Sequence, residues 1–354
     1  MEKARLESYL AARLGEPLVI ASLAQAFPGL SRETWLVRIR GPGGSAGGER
    51  GLVVRVDAPG GPFVPVPLEF EWRVYERLRR TAVPVARPLW FDAAPEVSEG
   101  RALFVRELVE GSTLLTGLAE ATPAAARRRR AVAFEHAEKL AQVHRVDWHA
   151  LGFDEFMPNP GSARDAPRRE LEHWSTIWYE LRGRAFPVVT EALHWFEAHV
   201  PPAAPCVCLC KGQNGVGEEI WRDDKIVALC DWELAHLGDP CHDLALSQGM
   251  LKLWDREEII AHYEAQAGFA LPHANLSYYI VWNAFMSLLV LHNGLKPFLN
   301  RQNLRLPRAT LGFGKVKVYE HLLGTILDMD LEEAADYILE GQPNPYHSRK
   351  VAGG

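Results

Sequence analysis

The stretch Cys208 to Leu246, CLCKGQNGVGEEIWRDDKIVALCDWELAHLGDPCHDLAL, gathers carboxylates, a lysine, an amide and several glycines. It reads as a strand, a Gly-rich loop, a two-stranded hairpin and an acidic turn. The hairpin runs out along Glu218-Glu219-Ile220-Trp221, turns at Arg222-Asp223-Asp224 and returns along Lys225 to Cys230. The return strand delivers Asp231 to the mouth of the Gly-rich loop. A carboxylate at a strand end opposite a loop suits a Mg2+–phosphate site, because Mg2+ takes one or two protein carboxylates and fills its shell with phosphate oxygens and water. Gly212, Gly215 and Gly217 either let backbone N–H groups approach phosphate or simply turn the chain. Cys206, Cys208, Cys210 and Cys241 offer a rival thiol or metal chemistry. Zinc sites, however, use cysteine pairs folded around a turn, and the alternation of the first three fits one face of a strand, with the thiols buried as small hydrophobes.

These side chains need elements to position them. Thr34 to Arg40 and Leu52 to Asp57 are apolar and β-branched, as strands are. The glycine-rich Gly41 to Gly51 between them precedes no helix and reads as a hairpin connection, not a phosphate loop. A helix is predicted near Leu68 to Arg80 and a strand at Ala102 to Leu108. Thr122 can cap a helix with Pro123 at its first position. Phe134, Ala137, Ala141 and His144 then repeat at helical spacing. Arg127 to Arg130 read as a solvated face. Residues 168–200 are predicted helical, with Trp174, Trp178, Trp195 and Phe196 in the core. Short strands return between Val207 and Cys230, and from about Ser247 the chain is helical to its tail. Strands and helices in separate blocks predict an α+β fold.

Composition bounds the partners. The 354 residues are 47% hydrophobic and 24% charged, which is ordinary globular usage. A net charge of −6 gives no general basic field for nucleic acid or membrane surfaces. The apolar run Leu276 to Leu291 carries Ser277, Asn283 and Ser287, is shorter than the roughly 20 residues of a membrane span, and reads as a buried helix. The opening MEKARLESYLAARLGEP reads as an amphipathic helix, not a signal peptide. With an odd number of cysteines, this predicts reduced thiols and a cytoplasmic location.

The segment Asp231-Trp232-Glu233-Leu234-Ala235-His236-Leu237-Gly238-Asp239-Pro240, with Asp243 beyond, resembles the metal-binding segment of the aminoglycoside-phosphotransferase family. The likeness is closest to the branch with kinase-like domains joined to acyl-CoA dehydrogenases. It implies a protein-kinase-like fold of two lobes. Residues 1–107 would form a strand-rich nucleotide-binding lobe. Residues 108–354 would form a helical lobe with the catalytic-loop hairpin and an acceptor pocket walled by aromatic residues. It also implies ATP (or GTP) and Mg2+ as cofactors and a small-molecule hydroxylated acceptor as partner. Asp231 would hold Mg2+, while Asp239 and Asp243 would brace the loop and cap the next helix. Pro28 to Trp35, including Ser31, resembles the nucleotide-covering turn. Arg55 falls where the family places a basic residue toward the phosphates, and Glu71 where a helix carboxylate pairs with it. Phe104 to Gly111, with Glu107 and Leu108, resembles the hinge whose backbone meets adenine.

One loop departs from this pattern. The family's His-Gly-Asp triplet falls on Lys211-Gly212-Gln213, and the following metal-binding Asn falls on Glu218. Gln213 is an amide that cannot accept a proton at neutral pH. Loss of a general base typically costs about 10²–10⁴ in rate. Phosphoryl transfer, however, depends chiefly on positioning and charge neutralisation. Glu218 adds a second carboxylate beside the metal, and Glu219, next along the strand, points the opposite way. The expected function is an ATP-dependent phosphotransferase acting on a small-molecule hydroxyl through a divergent catalytic loop. The alternative is a pseudokinase that binds nucleotide or ligand without transfer.

Overall fold

Residues 1–26, 31–41, 48–215 and 217–341 are described by the computed structural model. The chain opens with α1 (Lys3–Leu14), β1 (Val19–Gln25), β2 (Arg32–Arg40), β3 (Arg50–Asp57), α2 (Leu68–Leu78), β4 (Pro88–Asp92) and β5 (Leu103–Glu107). It continues through α3 (Pro123–His144), α4 (Ala166–Leu181), α5 (Pro187–His199), β6 (Cys208–Cys210), β7 (Glu219–Arg222), β8 (Lys225–Leu229) and β9 (His236–Gly238). Then come α6 (Pro240–Leu246), α7 (Gln248–Leu251), α8 (Arg256–Ala267), α9 (His273–Leu299), α10 (Leu306–Thr310), α11 (Val316–Ile326) and α12 (Leu331–Gly341). The fold is α+β, with its main sheet in the N-terminal part and helices dominating the rest.

The chain forms two compact units. Met1–Arg80, Val85–Glu110 and Val290–Lys315 make the first; Thr81–Pro84, Gly111–Leu289 and Val316–Gly354 make the second. The segment Val290–Lys315 therefore groups with the strand-rich part, although sequence reading leaves it with the helical part.

The first unit is built on an antiparallel sheet in the order β1-β2-β3-β5-β4. Alternation in β2 places Val37 and Ile39 inward, both at most 1% exposed, while Arg38 and Arg40 face out. Leu52, Val54 and Val56 of β3 and Leu103 and Val105 of β5 join them, and Leu6 and Leu10 of α1 close this core. β2 and β3 pair antiparallel from Arg32↔Asp57 to Ile39↔Arg50, the ladder a hairpin requires. Of the Gly41–Gly51 connection, Pro42–Gly47 lie outside the described residues. Gly51 must stay a glycine, since a Cβ there would lie 2.7 Å from the Leu108 side chain.

The second unit centres on α3. Thr122 caps this helix, its hydroxyl accepting the Ala125 N–H at 3.1 Å, and Pro123 opens it. Thr122 is exposed, so Thr122→Ala removes the cap and little else; it should cost about 1 kcal/mol in denaturant unfolding. Ala137, Ala141 and His144 are buried, and Phe134 stacks on His262 at 4.3 Å. The Arg127–Arg130 run is not simply solvated. Arg128 holds Asp224 at 2.8–2.9 Å, and Arg129 donates to the Leu118 and Glu120 carbonyls.

The 168–200 stretch is two helices. α4 ends at Leu181, and Pro187 starts α5. Trp178 and Phe196 are fully buried and interlock edge-on with Phe186, Trp282 and Phe285. Their core placement follows the sequence expectation, and edge-to-face contact of this kind adds about 1 kcal/mol per pair beyond burial. α9 spans 27 residues and is long and apolar enough to cross a membrane, yet 78% of its most apolar window is buried in the protein. It reads as a core helix.

Candidate active site

In the first unit, Arg55 on β3 meets Glu71 on α2. Arg55 Nε donates to Glu71 Oε2 at 2.8 Å, and Arg55 Nη1 to Thr34 Oγ1 at 3.3 Å. The side chains are 13% and 1% exposed, so this is no surface ion pair. A guanidinium held along one edge in this way is pre-oriented for an anion. Ser31 Oγ accepts the Phe63 N–H at 3.2 Å, which ties the predicted nucleotide-covering turn to the loop between β3 and α2. Pro28–Leu30 of that turn lie outside the described residues.

The segment expected to be the hinge has two of its N–H groups engaged. The Glu107 N–H donates to the Arg87 carbonyl at 2.9 Å, and the Leu108 N–H to the Gly51 carbonyl at 2.9 Å. Both amide protons are spent within the first unit. The Glu107 carboxylate is likewise engaged by Arg87 at 2.7 Å.

In the second unit, β6 pairs with β9 and runs into Lys211 and Gly212. Their N–H groups both donate to the Asp243 carboxylate of α6, at 2.6 and 2.8 Å. Asn214 donates to the Asp243 carbonyl at 3.2 Å. His144 Nε2 lies 2.9 Å from Asp243 Oδ2, and its Nδ1 lies 2.5 Å from the Tyr263 hydroxyl. Burial alone would raise the Asp243 carboxyl's pKa. The hydrogen bond to His144 and the positive potential of His144, His242 and His236 outweigh that and hold it well below the usual range. Gly212 has φ +77°, and a Cβ there would sit 2.0 Å from the Leu234 carbonyl oxygen. Only glycine fits a position with both constraints.

Lys211 is 1% exposed. Its ammonium group donates to the Gln213 carbonyl and, at 3.4 Å, to the Asp231 carbonyl, and lies 5.6 Å from the centre of the Trp232 ring. It therefore ties the Gly-rich loop to the acidic segment from within. Asp231 itself has φ 59°, left-handed backbone that Asp tolerates better than most residues.

Gln213 Nε2 donates to Glu218 Oε1 at 3.3 Å, so these two predicted residues are neighbours. The Cys230 N–H donates to the Glu218 carbonyl at 2.9 Å, which pins the start of the hairpin beside the residue preceding Asp231. Glu219 turns the other way. It is 2% exposed and lies 2.5 Å from His136 Nδ1, whose Nε2 reaches Ser247 at 2.8 Å. The β7–β8 turn is Asp223-Asp224, both at positive φ (53° and 57°), the geometry two-residue hairpins favour. Asp239 Oδ1 caps α6 by accepting the Cys241 N–H at 2.8 Å, and Oδ2 accepts from Asn275 at 2.7 Å. Burial pushes its carboxyl up to about 6.

Cys208 and Cys210 are buried with sulfurs 3.7 Å apart, and the nearby His144 has both nitrogens engaged. Burial pushes the Cys208 and Cys241 thiols up, whereas hydrogen bonding to Cys208 lowers Cys206, and Cys208 and His236 lower Cys210 against its burial. Sequence reading did not anticipate Tyr263 or the inward ammonium of Lys211. A histidine ending a buried helical face was the one available signal for the former.

A strand-rich unit with a buried Arg–Glu pair, and a helical unit whose acidic segment is clamped to a Gly-rich loop, define a kinase-like phosphotransferase class. Residues 24–276 match the model of the phosphotransferase enzyme family that includes the aminoglycoside phosphotransferases, and the chain belongs to that family. It is 24% identical over 260 residues to acyl-CoA dehydrogenase family member 11 of Rattus norvegicus, covering 68% of this chain and 32% of that protein. The chain thus spans about a third of that relative's length. A Ralstonia eutropha JMP134 protein, described from its crystal structure as a candidate aminoglycoside phosphotransferase, superposes with TM-score 0.65 at 20% identity, covering 97% of this chain and 99% of that one. A thermostable mutant of aminoglycoside phosphotransferase APH(4)-Ia, in ternary complex with ADP and hygromycin B, superposes with TM-score 0.58 at 15% identity, covering 95% and 98%. These likenesses fix the fold as the protein-kinase-like α+β type.

Proposed function

We propose that this protein is an ATP-dependent phosphotransferase acting on the hydroxyl of a small molecule through a divergent catalytic loop. The observation that carries the reading is the Asp243 clamp on Lys211 and Gly212, which keeps a defined loop shape next to Asp231 although the loop has lost its usual base. In this reading Arg55, oriented by Glu71, holds phosphate oxygens of the nucleotide (ATP, or GTP). Asp231 and Glu218 are hard oxygen donors of the kind Mg2+ takes. Mg2+, when bound, neutralises charge on the transferring phosphoryl group. Gln213 orients the acceptor hydroxyl by hydrogen bonding, and the proton leaves late, to solvent, to Glu218 or to the transferred phosphate.

The test is single-turnover transfer from labelled ATP across aminoglycosides, macrolides, hydroxy acids and hydroxyacyl thioesters, for the wild type and Gln213→Asp. Transfer by the wild type, raised about tenfold in the variant, supports the proposal; a fully positioned base contributes about 10²–10⁴. A second reading, a nucleotide-binding pseudokinase, is favoured by the Gln213–Glu218 hydrogen bond, which ties up the amide where a base would stand. Nucleotide binding with no transfer by either protein would establish it.

A further inference from the structure

Three metal-ligating side chains in the second unit converge without a role in the proposed chemistry. Glu170 comes from α4, His236 from the start of β9 and His242 from α6. His242 Nδ1 lies 2.7 Å from Glu170 Oε1 and 3.2 Å from His236 Nε2, and His236 Nε2 lies 3.7 Å from Glu170 Oε1. Glu170 is 8% exposed and His242 3%.

One proton or one cation can balance this cluster. Burial alone would lower the His236 imidazole's pKa, but the neighbouring Cys210 and Glu170 raise it to about 10. Against its burial, the Glu170 carboxyl is in turn held down to about 2 by His242 and His236. His236 Nδ1 faces the Leu234 carbonyl at 3.1 Å, an acceptor only, so that nitrogen carries a hydrogen and it is Nε2 that faces Glu170 and His242. Glu170 Oε1 is buried and ion-paired with His242 at 2.7 Å, but no hydrogen bond is directed at it. One cation among the three atoms would satisfy all of them.

We propose that Glu170, His236 and His242 form a zinc-class divalent metal site, separate from the Asp231 carboxylates. Tetrahedral donors about 2.1 Å from zinc lie about 3.4 Å apart, and the observed separations of 2.7, 3.2 and 3.7 Å bracket that value. Two imidazole nitrogens and one carboxylate suit zinc better than Mg2+ or Ca2+. The surroundings match what ligands of such a metal need. The Leu234 carbonyl fixes the His236 tautomer, and the Tyr279 hydroxyl donates to Glu170 Oε2 at 3.0 Å while its ring stacks on His242 at 5.3 Å. Gly238 makes room, since a Cβ there would lie 2.8 Å from His236 Cδ2. His236 is 21% exposed, so one edge of the cluster meets solvent. The bound ion would tie α4 and β9 to α6, the helix that carries the Asp243 clamp.

The test uses the full chain stripped with chelator and titrated with Co2+, read by visible ligand-field absorption, with metal analysis of protein purified from zinc-supplemented medium. The expected result is saturation at about one equivalent, displaced by zinc. His236→Ala should lose the band, Tyr279→Phe should weaken binding about 10- to 100-fold, and Asp231→Asn should keep wild-type binding. The wild-type titration needs no variant to fold. Absence of a saturable band in the wild type, or an unchanged band in a folded His236→Ala, overturns the proposal. None of these readouts depends on phosphoryl transfer.

Discussion

Asp243→Asn is expected to destabilise the second unit by about 3–5 kcal/mol, the cost of breaking a buried, hydrogen-bonded charge pair. The carboxylate accepts from both the Lys211 and Gly212 N–H groups and faces His144 Nε2. Asparagine has one acceptor oxygen and one NH2 group, so at least one buried N–H loses its partner and faces another donor. Differential scanning calorimetry should show the transition of this unit falling by about 10 °C. The pH dependence has a definite sign. The Asp243 carboxyl is lowered in the folded state relative to an unfolded value near 3.9, so its contribution is full above about pH 4 and disappears as pH falls through the lowered value. The variant should therefore lose part of the wild type's acid sensitivity below pH 4. A change under about 1 kcal/mol would place the loop's support elsewhere.

What was legible in the sequence was local. Alternation in Thr34–Arg40, the Thr122-Pro123 start and the Arg222–Asp224 hairpin each follow from a few neighbouring residues, and each stands in the structure. Opposite orientations of Glu218 and Glu219 follow from the strand's period of two, as the Glu219–His136 contact bears out. The rest depends on partners far along the chain. His136 is 83 residues from Glu219, and Tyr263 is 119 from His144. No periodicity marks such pairs. Lys211 reads as an added positive charge in the loop, yet its ammonium is turned inward by two carbonyls and Trp232. The spent amides of Glu107 and Leu108 come from strand pairing with Gly51 and from Arg87, which a motif match does not register. Glu170 lies 66 residues before His236 by position and joins His242 only after α4 packs beside β9, so the trio is invisible in one dimension.

Asp231→Asn is expected to abolish the Mg2+-dependent part of nucleotide binding and, where transfer is measured, to lower its rate about a thousandfold, the several kcal/mol a metal ion contributes to a phosphoryl transition state. The substitution isolates charge. Asp231 holds φ 59°, and asparagine accepts left-handed backbone as readily as aspartate, so the chain path and the Lys211 contact to the Asp231 carbonyl should persist. Alanine would add a backbone penalty of about 1 kcal/mol and blur the comparison. Thermal shift is the direct readout. Ligand at about one hundred times its dissociation constant stabilises the native state by about 2.7 kcal/mol. With Mg2+ that shift should be present in the wild type and largely lost in Asp231→Asn. Glu218→Gln should leave a smaller shift in place, since one hard anionic donor remains. Equal Mg2+-dependent shifts in the wild type and Asp231→Asn would sink the metal assignment. The hairpin and the Asp243 clamp would then be a retained scaffold around another ligand.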